Sequence, residues 1–170
     1  LEQNKKGRLY IMKNFVNKLK KDVKIVIKDK EYIVKTKTWY SIEEDENASY
    51  IKCELSNNKV LVVIPDDELM YIGEVIENFS YERISEEQLK YNNQIFNKTG
   101  DGHQIIKKIE FGNEQEVEGK CVFEDFESDN NIISLGILTD KENKKADVLA
   151  DIIEIVDVKI EGENKICIHK

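Results

Sequence analysis

Val23-Lys24-Ile25-Val26-Ile27-Lys28-Asp29-Lys30-Glu31-Tyr32-Ile33-Val34 is the stretch on which the fold turns. Before it, apolar residues recur at helical spacing; from Val23 onward they alternate with polar ones. A period of two puts successive side chains on opposite faces of a strand. The polar Asp29-Lys30 at its centre predicts a turn, so the stretch reads as a hairpin.

Upstream, Leu9, Met12, Phe15, Val16 and Leu19 share one helical face, with Lys13, Lys18, Lys20 and Lys21 on the others. This predicts an amphipathic helix over residues 12–22 whose lysine-rich last turn suits the negative end of the helix dipole. Residues 1–11 are expected to be a leader or vector-derived, with Met12 the natural start.

Downstream, the alternation recurs over residues 23–170. Ile51, Cys53 and Leu55 make one apolar strand face, and Val60-Leu61-Val62-Val63-Ile64 reads as a strand buried on both sides, closed by Pro65, the only proline. Ser85-Glu86-Glu87-Gln88 has the form of a capping box and predicts a short helix over 86–91. Thr99-Gly100-Asp101-Gly102 predicts a turn between strands at 94–98 and 104–111. Residues 146–153 are read as a helical turn or the start of a strand. A closing hairpin pairs residues 155–160 with Lys165–His169. The sum is a mainly β chain, an antiparallel sandwich or two open half-barrels, with one N-terminal helix and one or two short helices besides. A faint echo, Lys52-Cys53 before Ser56-Asn57-Asn58 and Lys120-Cys121 before Ser128-Asp129-Asn130-Asn131, points to two half-repeats at about 23–84 and 92–170.

Charge narrows the partners. Residues 1–38 hold 12 Lys and Arg against 4 Asp and Glu, leaving 14 basic and 30 acidic residues for the rest of a chain with net charge −8. An acidic body opposes phosphate backbones, so nucleic acid is not an expected partner. Cys53, Cys121 and Cys167 are widely spaced and form no CxxC pair, which fits a reducing, cytoplasmic setting.

The order of several segments resembles a known family. Tyr32 and Val34 lead to Trp39-Tyr40 and Lys52-Cys53-Glu54-Leu55; then come Gln94-Ile95-Phe96, Val117-Glu118-Gly119, Phe123-Glu124-Asp125-Phe126 and Leu135-Gly136. Over about residues 23–160 this resembles the bacterial family called domain of unknown function 4178. Where that family has Trp-x-Glu-Tyr, this chain has Trp39-Tyr40-Ser41. The resemblance implies a β-rich fold and association with other proteins, and it implies no activity.

The residues themselves point away from catalysis. His103 follows a glycine-rich turn, but no nucleophile elbow accompanies it, and Cys53 and Cys121 fall on apolar strand faces where thiols are inert. Cys167 and His169 supply two of the four ligands a structural zinc needs. Asp125, Glu127 and Asp129 match half of a calcium loop, but Asn130 and Gly136 stand where its glycine and bidentate glutamate belong, so a solvated acidic turn is expected. No metal or cofactor is expected.

The leading expectation is a non-catalytic module that binds another protein, with Trp39, Tyr40 and Tyr50 around the acidic Glu43–Asn47 run as anchors. One alternative is a peripheral membrane protein held by helix 12–21 through Lys13, Lys18, Lys20 and Lys21; another is an enzyme of unfamiliar type. All of these readings take the alternation to separate a dry interior from a wet exterior, with no convergent pocket of ionisable groups.

Overall fold

The computed structural model describes residues 2–162. The helix α1 (Glu2–Lys18) is followed by β1 (Lys24–Ile27), β2 (Lys30–Ile33), β3 (Lys37–Ile42), β4 (Asp45–Glu54), β5 (Lys59–Ile64) and β6 (Leu69–Val75). Then come β7 (Glu82–Ser85), β8 (Gln88–Tyr91), β9 (Gln94–Phe111), β10 (Cys121–Glu127), β11 (Asn131–Leu138), β12 (Lys144–Lys145), β13 (Val148–Ile152) and β14 (Val158–Ile160).

The architecture is mainly β and antiparallel with an N-terminal helix, as the alternation leads one to expect. Two four-stranded meanders, β3-β4-β5-β6 and β9-β10-β11-β13, each curl into half a barrel. They meet at β3–β9 and β6–β13 and close into one eight-stranded barrel. Following the rungs through Asn97, Glu127, Ile132, Ala150, Gly73, Val60 and Glu54 brings the path back to β9 near Phe111, not to Asn97. This stagger tilts the strands, as closure of a barrel demands.

The strand order repeats between the two meanders, but the sequence echo is not in register. Cys53 faces out of the barrel into the core under α1, whereas Cys121 lines the interior.

Outside the barrel, β14-β1-β2 form a small sheet. Lys28 and Asp29 both take positive φ, the geometry of a two-residue primed turn, so the hairpin bends one residue earlier than expected. This sheet and α1 cover the outer wall of β4–β6. Met12, Phe15, Val16 and Leu19 pack with Ile25, Ile27, Ile51, Cys53, Leu55, Leu61, Val63 and Met70 in the largest core. Buried Lys37 donates to the Val16 carbonyl at 2.7 Å, placing a cation at the C-terminal end of α1. A second outer core joins Leu89 and Phe96 to Phe126, Ile133 and Leu135.

Three local expectations are corrected. The helix spans Glu2–Lys18, not 12–22, so Met12 marks no structural boundary. Residues 86–91 form no helix: the Ser85 hydroxyl accepts the Glu87 N–H at 3.2 Å inside a tight β7–β8 hairpin, and Asn92-Asn93, both at positive φ, turn the chain into β9. Gly100 and Gly102 lie inside the continuous β9, which changes partner there from β10 to β3. A Cβ on Gly102 would meet Ile42 at 2.8 Å, so the glycine allows a close backbone approach instead of a turn. Of the two readings of residues 146–153, the strand holds, over Val148–Ile152. The second arm of the closing hairpin, Lys165–His169, lies outside the described residues.

Candidate functional site

Along β4 the alternation sorts side chains to the two sides of a wall. Ile51, Cys53 and Leu55 enter the outer core, while Tyr50 and Lys52 turn into the barrel. The interior is neither dry nor filled. It holds a cavity of about 720 Å³ lined by Tyr50, Lys52, Tyr71, Gln104, Cys121, Phe123, Asp125 and Ser134, among others. The expected absence of a pocket where ionisable groups meet is thereby overturned, because a closed barrel gives the polar face of its strands an inside.

One end of the barrel is stoppered by the loop between β9 and β10. Its buried Val117 gives its carbonyl to Lys141 Nζ at 2.8 Å. The next residue, Glu118, reaches the lumen, where Oε1 accepts from Lys52 Nζ at 2.6 Å and from Gln104 Nε2 at 2.8 Å. Gln104 Nε2 also reaches the Gly119 carbonyl at 2.9 Å, and its Oε1 accepts the Tyr50 hydroxyl at 2.8 Å. Tyr40 donates to the Glu118 carbonyl. The rings of Tyr40 and Tyr50 stack at 5.7 Å, and the Lys52 ammonium lies 5.5 and 5.9 Å from their centroids. A Cβ on Gly119 would fall 2.2 Å from an Asp140 oxygen, so a larger residue there would have to displace the carboxylate that accepts the Lys120 N–H.

Burial tunes this cluster. It pushes Tyr40, Tyr50 and Tyr71 above the ordinary tyrosine value and Cys121 up to about 12, so all four stay protonated at neutral pH. Burial works against the Lys52 ammonium, but Glu118 outweighs it and holds the group above the usual lysine value. Glu54, on the same face of β4, is pushed up to about 7 by burial and by the charge of Glu118. Burial also raises Asp125, against the opposing pull of the Ser134 hydroxyl and Lys52. Its Oδ1 is closed to water and has no hydrogen-bond partner.

The opposite end is open. Exposure rises from buried Tyr50 through half-buried Ser49 and Ala48 to exposed Asn47 and Asp45, and Asp66, Asp67 and Asp101 complete an exposed rim. The β3–β4 turn is latched beside it. The Glu43 N–H donates to the His103 carbonyl at 2.8 Å, the His103 N–H donates to Glu44 Oε2 at 2.9 Å, and the imidazole Nδ1 meets Glu44 Oε1.

The expected anchors are placed differently from a protein-binding surface. Tyr40 and Tyr50 are buried inside the barrel. Trp39 lies half-buried on the outer side, where Nε1 donates to Glu110 at 3.0 Å. Lys13, Lys20 and Lys21 are exposed and Lys18 is half-buried, while Met12, Phe15, Val16 and Leu19 of the apolar stripe are packed on the barrel. His103 points away from the lumen that Cys121 faces, so the two form no dyad. Asp125 and Glu127 line the lumen instead of forming a solvated turn. Among the described residues no three His, Cys, Asp or Glu side chains converge as a metal site, and no helix is long and apolar enough to cross a membrane. Cys167 and His169 lie outside the described residues.

Lys52, Gln104 and Glu118 are the candidate-site residues that sequence reasoning missed, and Asp125 was read only as part of an acidic turn. The available signal was a lysine and a glutamate interleaved with Ile51, Cys53 and Leu55 in a strand otherwise apolar enough for a core.

No family model matches the chain, and neither a curated protein nor a solved structure shows significant similarity to it.

Proposed function

We propose that this chain is a non-catalytic binding module whose ligand is a small molecule held inside the barrel. The supporting observation is the cavity itself: about 720 Å³, floored by a hydrogen-bonded cluster, walled by Tyr50, Tyr71 and Phe123, and open at one end. Cavities of a few hundred Å³ with aromatic walls and a few fixed polar groups are the usual form of small-ligand sites, and eight-stranded barrels are wide enough for one such ligand. Catalysis has less support. The tyrosines and Cys121 are held protonated, and Glu118 is already engaged by Lys52 and Gln104, which leaves no free nucleophile and base side by side.

Titrating a set of small-molecule fragments into isotope-labelled protein tests the proposal. Amide shifts are expected to move at Tyr50, Gln104, Cys121 and Ser134, and Ser134→Trp, which fills the lumen, is expected to abolish them. Shifts confined to the outer faces, or no shifts with any fragment, overturn the reading.

A further inference from the structure

The charge inside the barrel is lopsided. Lys52 is the one cationic side chain among the described residues that line the cavity, and Glu118 already neutralises it at 2.6 Å. Asp101 is offset from outside by Lys98 at 2.7 Å. Asp45, Asp66, Asp67, Asp125 and Glu127 also line the cavity, and none of them has an ion-pair partner among the described residues. The first three stand at the open mouth, and Asp125 is deeper, with Oδ1 shut off from solvent and without a hydrogen-bond donor. The Ser134 hydroxyl and the charge of Lys52, which Glu118 already holds, offset only part of the cost of burying this carboxyl.

We infer that the barrel takes an organic ammonium ion, its cationic head drawn in past the Asp45–Asp66–Asp67 rim toward Asp125 and its carbon body against Tyr50, Tyr71 and Phe123. This rests on the reading of the lumen as a ligand site and names the class of ligand. An organic cation fits better than a bare metal ion on two grounds. A space of about 720 Å³ is far larger than a metal needs, and among the described residues no three His, Cys, Asp or Glu side chains converge. Aromatic walls also favour an ammonium with carbon attached, through the negative faces of their rings. An anion would meet the rim as like charge, in a lumen whose walls concentrate the field.

Burial shifts Asp125 toward the neutral acid, and a cation beside it favours the carboxylate, so cation and carboxyl stabilise each other.

The experiment uses the full chain and three probes of matched size, phenethylammonium, 2-phenylethanol and phenylacetate, titrated calorimetrically and by amide shifts. The cation is expected to bind at least roughly ten-fold more tightly than the alcohol, a preference of about 1.4 kcal/mol, with phenylacetate the weakest of the three. Its affinity is expected to fall as salt screens the rim. Asp125→Asn is expected to weaken binding of the cation while leaving that of the alcohol unchanged. The double variant Asp66→Asn/Asp67→Asn, at two exposed positions, is expected to fold and to shrink the preference for the cation. If the alcohol or phenylacetate shifts the lumen amides as strongly as the cation does, the ammonium assignment is wrong while the ligand-binding barrel stands. If none of the three reaches the lumen, the binding reading itself falls.

Discussion

The two faces of β4 live in different solvents. On one, Ile51, Cys53 and Leu55 are sealed under α1 and the β14-β1-β2 sheet, and what holds them is apolar area withdrawn from water. On the other, only a side chain's width away, Tyr50 and Lys52 face a lumen held by hydrogen bonds and one ion pair. The outer face of β4 is held by apolar contact, and the inner face is polar and encloses the space proposed to take a ligand.

That division can be broken in order of expected cost. Leu61→Ala, at a fully buried position on the outer face, is expected to lose about 3 to 5 kcal/mol in urea unfolding. A loss below about 1 kcal/mol would mean that the outer core does not carry the fold. On the inner face, Glu118→Gln strands the Lys52 ammonium and is expected to cost about 2 to 3 kcal/mol, at the low end for a buried pair because both side chains keep some exposure. The double variant Lys52→Met/Glu118→Leu is expected to recover most of that loss. If the double variant is as unstable as the single one, the pair is structural in its own right and the contrast between the faces weakens.

A smaller effect sharpens the comparison through pH. The folded protein keeps the Glu54 proton up to about pH 7, whereas the unfolded chain releases it near 4.5. The native state therefore holds the extra proton across that interval, and stability falls as pH rises through it, by about 2 kcal/mol once partial exposure is allowed for. Glu54→Gln is expected to flatten the curve between pH 4.5 and 7.

The smallest effect is at the mouth. Hydrogen bonding to Glu44 raises the His103 imidazole above its ordinary value, and the His103 backbone N–H and side chain hold Glu44 down at about 2. Whatever stability the histidine adds is complete below pH 6.5 and fades as pH rises through its folded value. A proton titration should place His103 above the ordinary histidine, and Glu44→Gln should bring it back. An unshifted His103 in the parent protein would show that the latch is open in solution.

Much of the fold was legible because strand alternation is a local property. The β1–β2 hairpin, the doubly buried Val60–Ile64 and the apolar stripe of α1 follow from a few neighbouring residues each. What lay beyond reach was closure. Tyr50 and Lys52 carry the same polar signature whether they face solvent or a lumen, and only the pairing of β9 with both β3 and β10 decides between them. The site was hidden for the same reason, since Glu118 meets Lys52 across 66 residues and Gln104 across 14. Gly100-Asp101-Gly102 misled because glycine serves a turn and a crowded, bending strand equally well.

The strand β9 has a consequence for how the protein is made. It is the stave shared by both half-barrels, pairing with β3 along one part and β10 along another. As the chain leaves the ribosome, β3 to β6 emerge first as a curled sheet with two unsatisfied edges, one waiting for residues 104–111 and the other for 148–152. Until those arrive, a half-built cylinder with sticky margins is the species that a chaperone, or a second nascent copy, would meet.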